Sequence, residues 1–209
     1  KELFAVLKEN VINLFSYEKY ANEIKALDEQ VLDAILKDIC LTPGDMAYLK
    51  HHDVLYVTLT SAFPLEKELV EKVDEVTTKL LESVGGKTSL WVLEDTSLIG
   101  GLKLRIGDTV YDGTVSEELY QFEKNMNHAP IMDDDTVGHL VQEFTDKAEE
   151  FRPQIHKYQL GRVMTVSDGI CWMDGLADIM YGEVVEFDCG ESGMVLDIQP
   201  NRIGCVIFG

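Results

Sequence analysis

Ser83-Val84-Gly85-Gly86-Lys87-Thr88 closes on the Gly-Lys-Thr of a phosphate loop, whose glycines let backbone N–H groups wrap a β-phosphate. That loop needs a glycine five positions before its second glycine, and Leu81 stands there. The apolar spacing also runs from helix into strand, the reverse of a phosphate loop, so Gly85-Gly86 reads better as a helix C-cap. Asp133-Asp134-Asp135-Thr136-Val137-Gly138 resembles the first half of a calcium loop, but Val137 takes the fifth ligand position and Phe144 the place of the bidentate glutamate. The cage cannot close, and the aspartates suit a linker running into a helix N-terminus. His51-His52 with Cys40 could suggest a metal or nucleophile cluster, yet adjacent helical side chains point about 100° apart and share one ion poorly. No Ser/His/Asp order with elbow glycines occurs, nor paired carboxylates set off by apolar flanks. The expectation is a protein that is not by itself an enzyme, with no catalytic residue, cofactor or metal.

The 209 residues suit one large domain or two small ones, and 45% apolar with 27% charged residues is ordinary for a globular chain. Eighteen Lys and Arg against thirty-eight Asp and Glu give a net charge of −20, which repels phosphate backbones and anionic lipid, so nucleic acid is not expected as a partner. Its longest run without a charge, Val54 to Leu65, is twelve residues, too short for the ~20 of a membrane span. Lys1-Glu2-Leu3-Phe4 lacks the features of a signal peptide, so the chain reads as cytosolic, or as a mature or trimmed piece. Cysteines 40, 171, 189 and 205 form no CxxC pair and read as buried thiols in a reducing compartment.

Apolar spacing of three and four predicts helices over Lys1 to Tyr17 and over Tyr20 to Ile39, the second burying Tyr20, Ile24, Leu27, Val31, Ile35 and Ile39. Thr42-Pro43 signals the start of a short helix ending near His51-His52. From Val54 the β-branched and aromatic run to Thr60 predicts a strand. A helix from Pro64 follows, with Leu65, Leu69, Val73, Val76 and Leu80 inward. Short strands are expected at Leu90 to Leu93, Leu102 to Ile106 and Thr109 to Tyr111, the last two joined at Gly107-Asp108, and Thr114 with Glu117 opens a further helix. Asn127 to Asp135 breaks every period, which places a linker there, and Thr136 caps a helix bearing Val137, Leu140, Val141 and Phe144. After Gln159 turn signals punctuate short apolar runs, as in a small β-barrel. The fold class is therefore α+β: a helical segment over residues 1–53, a small α+β domain over 54–126, a linker and helix over 127–158, and over 159–209 a small β-barrel of the six-stranded type, complete or left open. In that reading the open edge is the final strand, Arg202 to Phe208, its neighbour lying beyond Gly209.

Thr60-Ser61-Ala62-Phe63-Pro64-Leu65, Glu94-Asp95-Thr96-Ser97-Leu98-Ile99-Gly100-Gly101, Ile106-Gly107-Asp108 and Asp112-Gly113-Thr114-Val115 occur in the order and spacing of the C-terminal domain of the F-type ATP synthase delta subunit, the counterpart of mitochondrial OSCP, which Tyr56 to Met126 resembles. Gly161-Arg162-Val163-Met164-Thr165-Val166-Ser167-Asp168-Gly169-Ile170, then Gly175-Leu176, Gly182 to Phe187, Gly193-Met194 and Gly204 to Gly209 resemble the N-terminal β-barrel of the alpha subunit of the same enzyme. A natural or engineered fusion is implied.

The resemblance implies a stator connector that holds the catalytic head to the peripheral stalk during proton-driven ATP synthesis. Its implied partners are the peripheral-stalk b subunit, alpha and beta, without direct membrane insertion. It would sit in the cytoplasm, peripheral on the inner face of the cell membrane through the complex. The alpha nucleotide domain would begin after the barrel, so no nucleotide is expected. Contacts with other subunits are expected at Leu119 and Phe122, and on the linker helix at Val137, Leu140, Val141 and Phe144. Two rival readings are a trimmed fragment of a larger nucleotide-binding alpha chain and an independent acidic adaptor reusing both modules.

Overall fold

A computed structural model describes residues 17–126, 154–200 and 202–208. The expected helix over Lys1 to Tyr17, the linker at Asn127 to Asp135 and the helix from Thr136 lie outside the described residues.

Helix α1, Tyr17–Asp38, buries Ile24, Leu27, Val31, Leu32 and Ile35, the stripe that its spacing predicts. Helix α2, Pro43–Leu49, is shorter than expected, and its start is local chemistry: Asp45 N–H donates to Thr42 Oγ1 at 3.1 Å while Thr42 N–H donates to Asp45 Oδ2 at 2.9 Å. Strand β1, Val54–Ser61, turns Leu55, Val57 and Leu59 inward. Helix α3, Lys67–Glu82, packs Leu69, Val73, Thr77 and Leu81 on the sheet, so its buried stripe is rotated from the Val76 and Leu80 expected. The rotation is possible because Thr77 Oγ1 donates to Val73 O at 2.7 Å, leaving only its methyl to pack.

Strand β2, Lys87–Glu94, runs parallel to β1, while β3, Leu102–Ile106, and β4, Thr109–Asp112, form the expected hairpin through Gly107-Asp108. Helix α4 spans Val115–Met126, and Glu117 N–H donates to Thr114 Oγ1 at 3.2 Å. The β1-α3-β2-β3-β4-α4 order matches the sequence reading. Strand β5, His156–Gln159, was not foreseen. It pairs antiparallel with β4, Asp112 opposite His156 and Thr109 opposite Gln159, and completes a five-stranded sheet of order β2-β1-β3-β4-β5.

The second sheet contains β6, Gly161–Ser167; β7, Ile170–Gly175; β8, Val184–Glu186; β9, Ser192–Gln199; and β10, Arg202–Phe208. Its order is β6-β7-β10-β9-β8, all antiparallel, curled into a half-barrel over Cys171, Met173, Leu176, Val195, Ile203 and Cys205. Asp168 and Gly169, at φ 52° and 76°, make the tight β6–β7 turn that their types predict. The expected open edge is corrected: β10 is the central strand, bonded to β7 and to β9. Among the described residues the sheet's edges are β6, exposed along its whole length, and β8. Sequence order misled because the last strand of a sheet need not lie at its side. The four cysteines also divide, with Cys171 and Cys205 buried but Cys40 and Cys189 exposed.

Candidate functional site

The chain's two halves meet at a junction built from the edge of the first sheet. Asp112, its side chain 1% exposed, ends β4 and collects four donors. Thr114 N–H and Oγ1 donate to Oδ1 at 3.0 and 2.6 Å, Lys103 Nζ reaches Oδ2 at 2.7 Å, and Tyr158 Oη donates to Oδ2 at 3.2 Å. Those partners come from β3, the start of α4 and β5, so one carboxylate ties three elements. Burial and the Asp112 charge push the Tyr158 hydroxyl up to about 12, which keeps it a donor. Burial works against the Lys103 ammonium, but the Asp112 hydrogen bond and charge outweigh it and raise Lys103.

From β5 the chain passes through Leu160, whose N–H donates to Asp108 O at 2.8 Å, directly into β6. Gln159 Nε2 donates to Asp178 Oδ2 at 2.8 Å, and Gly44 lies so close to Ala177 that a Cβ on the glycine would fall 2.4 Å from the alanine's. On the far side, Glu186 of β8 receives Tyr120 Oη at 3.0 Å and Lys124 Nζ at 2.7 Å from α4. Lys124 foremost holds the Glu186 carboxyl below its ordinary value. Between these contacts lies an open bowl of about 700 Å³, with Val163, Met173, Ile179 and Phe187 among its apolar walls and Asp108, Asp174 and Asp178 among its acidic lining.

Of the expected contact residues, Leu119 is 3% exposed and belongs to the first sheet's core. Phe122 lies on α4, though its side chain is outside the described residues, as are Val137, Leu140, Val141 and Phe144. The junction residues Tyr120, Lys124, Tyr158 and Glu186 carried no sequence signal, since the pairings span 46 to 66 positions.

Gly86 and Lys87 do run from helix into strand. A Cβ on Gly86 would come within 3.0 Å of Leu49 Cδ2, so packing accounts for the glycine. The His52 ring stacks on Tyr48 at 4.3 Å, and among the described residues no group of three His, Cys, Asp or Glu could hold a metal ion. Calorimetry with Mg-ATP is expected to give no binding heat, and a Kd below ~100 μM, about −5.5 kcal/mol, would refute this.

β5 belongs to the first sheet although a long stretch of chain separates it from β4. A chain nicked between residues 127 and 135 is therefore expected to elute as one species in native gel filtration and to separate only in denaturant. Two native peaks would contradict the pairing.

The fold defines a class first: a helix-backed mixed sheet with a half-barrel built onto its edge. The chain belongs to the ATP synthase delta (OSCP) subunit family, matched by residues 10–126, and residues 159–209 match the beta-barrel domain of the ATP synthase alpha/beta family. It is 33% identical to ATP synthase subunit delta of Caldanaerobacter subterraneus subsp. tengcongensis over 121 residues, 58% of this chain and 66% of the relative. It is 35% identical to ATP synthase subunit alpha of a Sulfurovum species over 75 residues, 36% of this chain and 14% of the relative. The alpha subunit of Pseudomonas putida F1 is 51% identical over 49 residues, 23% of this chain and 10% of the relative. The chain thus spans a small part of its alpha relatives and about two thirds of the delta relative. Among the described residues no helix is long and apolar enough to cross a membrane.

Proposed function

We propose that this chain is a non-catalytic stator connector of an F-type ATP synthase, joining the peripheral stalk to the catalytic head while protons drive rotation. Supporting this is the matching of delta-type and alpha-type residues on one chain, and above all the observation that β5, the segment entering the half-barrel, is a strand of the delta-type sheet. Resisting torque requires that two modules move as one. A strand shared with the first sheet, the Asp112 cluster and the Glu186 contacts couple them at separate points.

The b subunit, alpha and beta are the proposed partners, and the proposed place is the cytoplasmic face of the membrane, held there through the complex. For the b subunit, the outer side of the first sheet offers Tyr56 and Trp91, 57% and 58% exposed, beside Leu93. Contact through Phe122, Val137, Leu140, Val141 and Phe144 stays part of the proposal, whereas Leu119 acts from inside the core.

The test is a tagged full-length chain expressed in its own host. Copurification with b, alpha and beta, and loss of ATP-driven proton pumping when the chain is depleted, are the expected results. Recovery of the chain without any ATP synthase subunit would favour an independent adaptor. A longer reading frame encoding a phosphate loop after the barrel would favour a piece of an alpha chain.

A further inference from the structure

Cys171 and Cys205 stand directly opposite each other on β7 and on β10, the central strand of the half-barrel. Opposed residues of an antiparallel ladder project from the same face, and both side chains are 0% exposed in one core cluster. Two steps along the same register, Ile207 N–H donates to Gly169 O at 2.9 Å. Hydrogen-bonded pairs alternate along such a ladder, so Cys171 and Cys205 form a hydrogen-bonded pair, for which the Cα atoms lie about 5.5 Å apart. That Cα spacing is inside the roughly 4.4–6.8 Å a disulfide spans, while the Cβ atoms of such a pair stand near the wide end of about 4.5–5.5 Å, so closing the bond draws the two strands together and leaves it strained and readily reduced.

We propose that Cys171 and Cys205 are a reversible oxidation site, closing a cross-strand disulfide at the centre of the half-barrel with a low-molecular-weight disulfide such as oxidised glutathione as the oxidant. One cysteine thiolate attacks the small disulfide, forming a mixed disulfide and expelling a glutathione thiolate. The other cysteine thiolate then attacks the protein sulfur of that adduct and expels the second glutathione. The protein loses two electrons and two protons, and both leave on the two glutathione thiols.

Burial pushes both thiols up, and the neighbouring Cys171 adds to the rise at Cys205, so both stay protonated while the ladder is closed. Exchange waits on local opening, for which the wholly exposed edge strand β6, paired beside β7 in the same sheet, is the natural point. The exposed Cys40 and Cys189 stand outside this core and are free to form mixed or intermolecular disulfides instead.

The experiment uses the full chain with Cys40→Ser and Cys189→Ser, incubated with oxidised glutathione, then unfolded and alkylated. Both remaining thiols are expected to be protected, the intact mass to fall by two hydrogens, and a peptide joining Cys171 to Cys205 to appear, all reversed by dithiothreitol. The further variant Cys171→Ser should stop at a glutathione adduct on Cys205. Two freely alkylated cysteines after the unfolded control has fully exchanged would overturn the proposal, as would adducts that never resolve.

Discussion

Asp28→Asn is expected to raise the melting temperature at pH 8 by several degrees and to lower it by a few degrees at pH 4, where the folded wild-type carboxyl is already neutral. Asp28 lies on the sheet-facing side of α1, 6% exposed, with Oδ1 buried and unpartnered and the Gly101 N–H as its backbone donor. The ion pairs beside it, Lys25–Glu66 and Lys72–Asp33, join α1 to α3, and the cation of β3, Lys103, is committed to Asp112. Burial therefore dominates and pushes Asp28 from 3.8 up to about 7. Between those values the folded chain holds a proton that the unfolded chain has released. Stability is therefore fully present below the lower value, falls as pH rises, and levels off above the upper one. Three units at ~1.36 kcal/mol each bound the loss near 4 kcal/mol, and the imperfectly placed amide of asparagine returns about half. A net gain of roughly 2 kcal/mol corresponds to about 4–8 °C for a chain of this size. Melting curves at half-unit pH steps check it, and a gain independent of pH would show that Asp28 is not the titrating group.

Asp112→Ala should destabilise the chain by about 3 kcal/mol, the largest loss expected from any single side chain at the junction. It strands Lys103, leaves Tyr158 Oη without its acceptor and removes two bonds from Thr114. Lys103 is 32% exposed and recovers some water, which keeps the loss below that of a fully buried pair. Asp112→Asn retains an oxygen for Thr114 and should lose less. Because Tyr158 belongs to β5, amide exchange at His156 to Gln159 should quicken in the alanine variant before it does in β1. A urea midpoint equivalent to less than 1 kcal/mol of loss, with β5 still protected, would show that the strand is held by its ladder alone.

Features legible in the sequence are those whose cause is local. Thr42 and Asp45 cap α2 within four residues, Asp168-Gly169 dictates its own turn, and α1 shows its apolar stripe directly. Thr77 defeated the same reasoning, because a threonine joins a core once its hydroxyl finds the preceding turn, which an apolar count cannot register. His156-Lys157-Tyr158-Gln159 has no apolar alternation and becomes a strand only because β4 offers an unpaired edge. The central place of β10 and the convergence on Glu186 are equally non-local. Leu119 was legible as an apolar position on α4, but nothing in its spacing told core from contact surface.

With β5 laid along β4, force applied to the half-barrel enters the first sheet through Leu160 and the ladder beside it. The joint is therefore set by the few residues between the two sheets, and one residue added between Gln159 and Gly161 should soften it. Such an addition would shift the phase between two sheets that now share a continuous run of chain.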